Sequence, residues 1–230
     1  MRADELLPPL HEATRALIRT VDRLGDAELA GASVLPGWTR AHVVAHLALN
    51  AEALARVLAG VSASSRVPMY SSAEARDADI AALARATPPT LRDRFLASCT
   101  LFQEAAEQVP EEEWRGQFVR LPDGPAIPRS AVLPMRRREV EIHHADLDAG
   151  YCVDDWSEDF LDSVFNEVVH DRRSGTSMRL RTPDGDVLLG TGDGPVVTGS
   201  RADLTWWLLG RGGGSGLTAD PALPTLAPWR

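Results

Sequence analysis

Apolar side chains recur at helical spacing through the first two thirds of the chain. Leu10, Leu17, Val21 and Leu24 outline a first amphipathic helix over residues 4–24. The same kind of pattern predicts further helices over residues 39–60, 71–87, 90–109, 131–149 and 156–171. Successive amphipathic helices joined by short connections are typical of a helical bundle.

Two of these helices carry start signals. Thr39 follows Pro36-Gly37-Trp38 and is a good N-cap, because its side-chain oxygen can accept a hydrogen bond from a backbone N–H of the first turn. Ser71-Ser72-Ala73-Glu74 has the form of a capping box at the start of the third helix. Residues 61–70, between these two helices, are expected to form a looser segment.

The pattern changes after about residue 172. Residues 178–199 alternate β-favouring runs with turns at Pro183-Asp184-Gly185 and Gly192-Asp193-Gly194, which predicts a short antiparallel sheet. Ser200 can then cap a helix that runs to Leu209. Residues 116–128 predict a separate small hairpin or a loop excursion. We therefore expect a helical bundle over residues 1–172 and a small α+β domain over residues 173–230.

Composition narrows the classes of function. The net charge of −9 and the pI near 5.1 argue against a nucleic-acid-binding protein, because phosphate contacts need a basic face. The chain has no run of about 20 apolar residues, and its acidic, proline-containing start is unlike a secretory signal. We expect a soluble, cytoplasmic monomer. All 24 basic residues are arginine, so chemistry that requires a lysine is excluded.

One helix carries residues that could bind a metal ion. Glu139 and His143 are four residues apart, so their side chains lie on the same face of the fifth helix, and Asp146 continues that line. His46, beside the apolar stripe of the second helix, is a suitable third ligand. Two histidines and a carboxylate form a three-ligand site with an open position for water or substrate.

Each of these residues also has a simpler interpretation. Glu139 and His143 can be a solvated surface pair, and His46 can be a core histidine with one hydrogen bond. The run Arg136-Arg137-Arg138 is by default a solvated face, although an arginine near a metal ion can bind a carboxylate. Spacing alone leaves these alternatives open.

The remaining histidines and the cysteines are expected to play supporting roles. His11, His42 and His144 fall on other helical faces, at the surface or behind the ligands. Cys99 lies in an apolar stripe and is predicted to be a core residue. Cys99 and Cys152 show no paired spacing, so the ligands of any metal would be histidine and carboxylate.

A series of short motifs keeps its order along the chain. They are Gly37-Trp38-Thr39-Arg40, His46-Leu47, Asn50, Pro68-Met69-Tyr70, Glu74-Ala75-Arg76, Met135-Arg136, Arg138-Glu139-Val140, Ile142-His143, Asp146-Leu147, Gly199-Ser200, Gly210-Arg211-Gly212 and Pro228-Trp229. Together these motifs resemble the mycothiol-dependent maleylpyruvate isomerase family.

The resemblance implies a fold and a set of site residues. The fold is a DinB-like N-terminal four-helix bundle that carries a divalent metal, usually zinc, with a small C-terminal α+β domain closing over the cleft. The family's metal ligands fall on His46, Glu139 and His143, and its essential C-terminal arginine falls on Arg211. Arg136, Arg138 and Tyr70 are expected to bind cofactor or substrate. Arg211 could instead bind the terminal carbonyls of the preceding helix.

The resemblance also implies an activity. Mycothiol would add to the cis double bond of 3-maleylpyruvate, the bond would rotate, and elimination would give 3-fumarylpyruvate. The partners would then be an unsaturated dicarboxylate and a small thiol, without nucleic acid or membrane. Two alternatives stay open: a mycothiol S-transferase acting on another electrophile, and a non-catalytic DinB-like metal-binding module.

Overall fold

The computed structural model describes residues 3–60, 67–226 and 229, and the chain divides into two compact units, Met1–Gly150 and Tyr151–Arg230. Most of the predicted loose segment, residues 61–66, and Pro228 of the C-terminal motif lie outside the described residues.

The first unit is a helical bundle. Its helices are α1 (Ala3–Arg23), α2 (Asp26–Leu29), α3 (Arg40–Ala59), α4 (Ala73–Ala84), α5 (Pro88–Glu107) and α6 (Val132–Asp146). Four of them pack in a ring: α1 lies against α5 and α6, and α3 completes the ring by contacting both. Helix α4 packs on α3. The predicted four-helix bundle is therefore confirmed.

Helix α3 is enclosed by its neighbours because it is rich in alanine. Small residues such as Ala45, Ala48 and Ala51 are fully buried and let α4, α5 and α6 approach α3 from different sides. A helix that is apolar on all sides lies inside a bundle. His46 and Asn50 are buried on this helix, so each needs a hydrogen-bond partner within the bundle.

The start signals lie where the helices begin. Thr39 accepts a hydrogen bond from the backbone N–H of His42, and Ser72 accepts one from Ala75. Helix α5 begins at Pro88 rather than at the predicted Thr90, with Thr87 as its N-cap. Proline is tolerated there because the first turn of a helix has no intrahelical partner for its N–H groups.

A short hairpin precedes the last helix of the bundle. Strand β1 (Gln117–Val119) pairs antiparallel with β2 (Ala126–Pro128), as predicted for residues 116–128. A single turn of 3-10 helix then leads into α6, which carries Pro134 within its first turn.

The second unit combines two helices with one sheet. Its elements are α7 (Glu158–Arg172), β3 (Met178–Thr182), β4 (Gly185–Leu189), β5 (Val196–Thr198), α8 (Arg201–Leu208) and β6 (Thr218–Asp220). The strand order is β4-β3-β5-β6. The predicted α+β unit is confirmed, but the sheet is mixed rather than antiparallel, because β3 and β5 pair in parallel. Strand β6 was not predicted, since three residues carry too little pattern.

The boundary between the units differs from the predicted one. We expected the bundle to extend to residue 172, but α7 packs on α8 and belongs to the second unit. Aromatic side chains make part of this contact: the Trp156 ring lies 5.1 Å from Phe160 and 6.1 Å from Trp206, centroid to centroid. The apolar stripe of α7 indicates that one face is buried, but not which element covers it. The boundary lies at Gly150 instead.

In the part of the chain that the structure describes, no helix combines the length and the apolar character needed to cross a membrane.

Candidate metal centre

Two helices bring the three predicted metal ligands together inside the bundle. Helix α3 supplies His46, and α6 supplies Glu139 and His143 one turn apart. Nε2 of His46 lies 2.8 Å from Oε2 of Glu139, and Nε2 of His143 lies 3.3 Å from the same oxygen. One ligand atom from each residue lies within 4.8 Å of the other two. The interpretation of Glu139 and His143 as a solvated surface pair is therefore wrong.

Burial and hydrogen bonding set the charges of this group. Burial lowers the pKa of His46 to about 4, against the opposing effect of Glu139, so this imidazole is neutral. Burial also disfavours a charge on His143, but hydrogen bonds to Asp146 and Glu139 outweigh it and raise the pKa of His143 to about 9. Burial opposes ionisation of Glu139 too, yet hydrogen bonds from the two histidines hold its pKa well below the usual value.

A buried carboxylate orients His143. Nδ1 of His143 lies 2.8 Å from Oδ2 of Asp146, whose side chain is fully buried. A carboxylate on the far nitrogen of a ligating histidine fixes its tautomer and ring orientation, and makes it a better ligand. Asp146 therefore presents Nε2 of His143 to the position between the three ligands.

Residues at the start of α3 and just before it fix the end of α6. Arg40 donates from Nε to the carbonyl of Leu147 at 2.6 Å and from Nη2 to the carbonyl of Asp148 at 2.8 Å. The backbone N–H of Val34 donates to the carbonyl of Asp146 at 2.9 Å. Trp38 packs edge-on against His46, with ring centroids 5.8 Å apart. These contacts give the Gly37-Trp38-Thr39-Arg40 motif a structural role in placing the two ligand helices.

The donor set suits a divalent metal with an open coordination position. Two imidazole nitrogens and one carboxylate oxygen are the protein ligands of a known class of catalytic zinc site. His143 would give up the proton on Nε2 when it binds the metal. The Asp146 partner of His143 is the support that such sites use. The residues present therefore fit the divalent metal ion that the sequence predicted.

Among the predicted binding residues, Tyr70 lies beside the centre. It is half-buried, its ring lies 5.7 Å from the Arg76 guanidinium, and Asn50 is its hydrogen-bond partner. Burial, reinforced by the Glu139 carboxylate, raises the pKa of Tyr70, so the phenol is protonated and can donate.

Arg136 is placed differently from the expectation. It is 1% exposed, and its Nη1 donates to the carbonyl of Leu47 at 2.9 Å and to Oδ1 of Asn50 at 2.8 Å. Its guanidinium also lies 5.7 Å from the Phe102 ring. Arg136 thus links α6 to α3 in the core of the bundle, and its predicted binding role stays a prediction.

The other predicted positions are buried or half-buried. Arg138 is half-buried beside Glu139 on α6, and its binding role stays a prediction. His144, expected at the surface or behind the ligands, is buried and lies 2.8 Å from the hydroxyl of Thr20 on α1. Cys99 is buried, as predicted.

Sequence reasoning gave no role to Arg76, which contacts the centre. Its Nη2 lies 3.3 Å from Nδ1 of His46. Arg76 and His46 are on different helices, so no spacing rule links them. The appearance of Arg76 in the Glu74-Ala75-Arg76 motif was the available signal.

Comparison with known proteins agrees with this geometry. The family model described as the mycothiol maleylpyruvate isomerase N-terminal domain matches residues 10–148. A crystal structure of the mycothiol-dependent maleylpyruvate isomerase matches with 30% identity and a TM-score of 0.91, covering 100% of this chain and 98% of the other.

The chain belongs to the mycothiol-dependent maleylpyruvate isomerase family. The structure of a variant of that isomerase with one histidine changed to alanine matches with 29% identity, a TM-score of 0.91 and the same coverage. A sequence comparison with curated proteins gives no match. The family membership predicted from the sequence is confirmed, and the family is one of mycothiol-dependent enzymes.

The second unit of this family member carries Arg211 just after α8. Arg211 is half-buried, and its Nη1 donates to the carbonyl of Leu209 at 2.7 Å. It lies between Gly210 and Gly212, whose φ angles of 81° and 68° favour glycine. The contact to Leu209 is the helix-end contact considered above as the alternative role, and the catalytic role of Arg211 stays a prediction.

Changing Asp146 to asparagine is expected to weaken metal binding. The variant keeps the size of the side chain but loses the charge that orients His143, so affinity for zinc should fall roughly 10–100-fold. Competition with a chromophoric chelator measures this affinity. Asp148→Asn, two residues away at an exposed position, is the matched control and should bind zinc like the parent. Equal zinc affinity in the Asp146 variant and the parent would contradict the assigned role.

The metal-free protein is expected to be most stable near pH 6.5. As pH rises from about 6.5 through about 9, the folded state keeps a proton on His143 that the unfolded chain releases, so stability falls. As pH falls from about 6.5 towards 4, His46 takes up a proton in the unfolded chain but not in the folded protein, so the free energy of unfolding falls again.

Urea unfolding of chelator-treated protein at several pH values measures this profile. His143→Gln should remove the alkaline loss, and so should zinc, because a ligated imidazole has given up its proton. A metal-free protein whose stability rises between pH 7 and pH 9 would contradict the assignment.

Proposed function

We propose that this protein catalyses the mycothiol-dependent isomerisation of 3-maleylpyruvate to 3-fumarylpyruvate, with zinc held by His46, Glu139 and His143. The observation that carries the proposal is the preformed set of two imidazoles and one carboxylate in the bundle, with His46 buried, Glu139 and His143 half-buried, and His143 oriented by Asp146. Membership of the isomerase family supports the choice of reaction.

The chemistry requires the double bond to become a single bond for a time. The sulfur of mycothiol bonds to one alkene carbon, and the π electrons move into the conjugated carbonyl to give an enolate. Rotation about the new single bond follows. The C–S bond then breaks, the trans double bond forms, and the thiolate leaves unchanged, so no thiol is consumed.

The chain itself offers no thiol suited to this step. Cys99 is buried, and burial raises the pKa of its thiol, which keeps it in the unreactive protonated form. Cys152 is exposed and belongs to none of the motifs that this chain shares with the family. An external thiol cofactor is consistent with both observations.

Each residue in this proposal has a defined task. When bound, zinc supplies a Lewis acid that lowers the pKa of a thiol or stabilises an enolate. Asp146 keeps the proton of His143 on Nδ1 and leaves Nε2 for the metal. Tyr70, protonated at neutral pH, can donate a hydrogen bond to cofactor or substrate. Arg211 binds a substrate carboxylate through its planar, permanently charged guanidinium.

An ultraviolet assay of maleylpyruvate with and without mycothiol, together with metal analysis, tests the proposal. Isomerisation that depends on both zinc and mycothiol, with all of the thiol recovered, is the expected result. Consumption of thiol with another electrophile, and no isomerisation, would favour the S-transferase alternative. A zinc-loaded protein without thiol-dependent activity would favour the non-catalytic module. The cytoplasmic location and the monomeric state stay predictions.

A further inference from the structure

Arg76 reaches from the first turns of α4 to the outer side of His46. Its Nη2 lies 3.3 Å from Nδ1 of His46, and its Nη1 donates to Asp77 at 2.8 Å. Ser72, the N-cap of α4, accepts the backbone N–H of Arg76 with its carbonyl oxygen. The guanidinium also lies 5.7 Å from the centroid of the Tyr70 ring. Arg76 is thus held between a metal ligand and a predicted cofactor-binding residue.

Arg76 can donate a hydrogen bond to Nδ1 of His46 only while His46 has no metal ion bound at Nε2. Nε2 of His46 faces Glu139 and is the atom available to a metal ion. A neutral imidazole that binds metal through Nε2 carries its proton on Nδ1, which is then a donor. A guanidinium has donors only, so the two groups can no longer share a hydrogen bond. Metal binding therefore frees Nη2 of Arg76 from His46.

The two ligand histidines differ in what lies behind them. His143 faces the carboxylate of Asp146, an acceptor, which is the usual support for a ligating histidine. His46 faces a cation, which gives the ligand no such support. In addition, Nε of Arg76 is buried and has no hydrogen-bond partner among the described residues. Arg76 is therefore better suited to an anion that arrives from outside than to holding His46.

We propose that Arg76 binds a carboxylate of the substrate beside the metal ion. This rests on the proposed function, because that function makes the substrate an unsaturated dicarboxylate. The planar guanidinium recognises a carboxylate through parallel N–H donors, and the face of Tyr70 supports it by a cation–π contact. Arg136, which the sequence predicted to bind cofactor or substrate, is 1% exposed and uses its Nη1 to bind Leu47 and Asn50 in the core, whereas the Arg76 side chain is partly exposed.

Titration of the zinc-loaded protein with maleate tests this role by calorimetry. Maleate is a stable cis-dicarboxylate probe that needs no turnover. Arg76→Met should weaken maleate binding roughly 10–100-fold, because charge-assisted hydrogen bonds are lost. Zinc affinity should stay the same or become tighter, because a positive charge beside the ion has been removed. Arg76→Lys should bind maleate with an affinity between those of the parent and Arg76→Met. In Arg76→Met the KM for maleylpyruvate should rise, while the KM for mycothiol should not.

Arg120→Met is the matched control. Arg120 is exposed, and its carbonyl accepts the backbone N–H of Tyr70, so this variant removes a nearby charge that makes no contact with His46. It should bind maleate like the parent. Arg76→Gln is the second charge-removing variant if the methionine variant does not fold.

Three results would overturn the proposal. They are maleate binding unchanged in folded Arg76 variants, zinc affinity falling as much as maleate affinity, and no maleate binding by the zinc-loaded parent. If the variants lose maleate binding but the parent does not isomerise maleylpyruvate, the carboxylate site stands and the substrate assignment fails.

Discussion

Changing Glu139 to glutamine is expected to remove the metal and the isomerase activity together. The amide is uncharged, so it is a poor ligand, and it no longer supplies the negative charge next to which both histidine nitrogens lie. The bound zinc should fall from stoichiometric to near zero. Changing a residue that only supports a metal ligand lowers metal affinity or activity roughly 10–100-fold. Changing a ligand itself should therefore lower kcat/KM by at least about 100-fold.

Metal analysis after dialysis and the ultraviolet assay measure both quantities on the same sample. Glu107→Gln, which removes an exposed carboxylate at the end of α5, is the control and should change neither. Circular dichroism establishes that the bundle is intact. A folded Glu139→Gln variant that keeps its zinc would show that the metal centre is assigned to the wrong residues.

Arg211→Ala is expected to abolish turnover while the protein keeps its zinc. All three proposed ligands lie in the first compact unit and Arg211 lies in the second, so the metal content should not change. Loss of the hydrogen bond to the Leu209 carbonyl should cost roughly 0.5–1.5 kcal/mol of stability, too little to unfold the protein.

The second unit offers a closely matched control for Arg211. Arg172 donates from Nε to the carbonyl of Leu208 at 2.6 Å, so it too binds a carbonyl at the end of α8. Arg172→Ala should lose a similar amount of stability and keep its activity. If both variants lose activity in proportion to stability, Arg211 acts only on the helix end, which is the structural role considered from the sequence.

Periodicity predicted the bundle because helices such as α1 and α5 each bury one continuous stripe. Leu10, Leu17 and Val21 are buried as the pattern of α1 requires, and Phe95 and Cys99 do the same on α5. The metal ligands could be predicted for a related reason. Glu139 and His143 lie one turn apart on a single helix, so their proximity follows from local geometry.

Features that depend on contacts between helices were beyond the sequence. Arg136 lies among charged residues, so the pattern places it in solvent, but its position opposite Leu47 and Asn50 buries it. Arg76 meets His46 across two helices, and no spacing reveals such a pair. The end of the bundle was misplaced because the stripe of α7 gives no information about its partner.

The ties from Val34 and Arg40 to the end of α6 have a consequence for how the protein acquires its metal. These contacts use backbone and arginine groups and do not involve the ion, so the ligands are positioned before any ion arrives. The metal ion is then chosen by an already folded chain. Since nitrogen and oxygen sites bind Cu²⁺ more tightly than Zn²⁺, the supply of ions around the folded protein decides which one it carries.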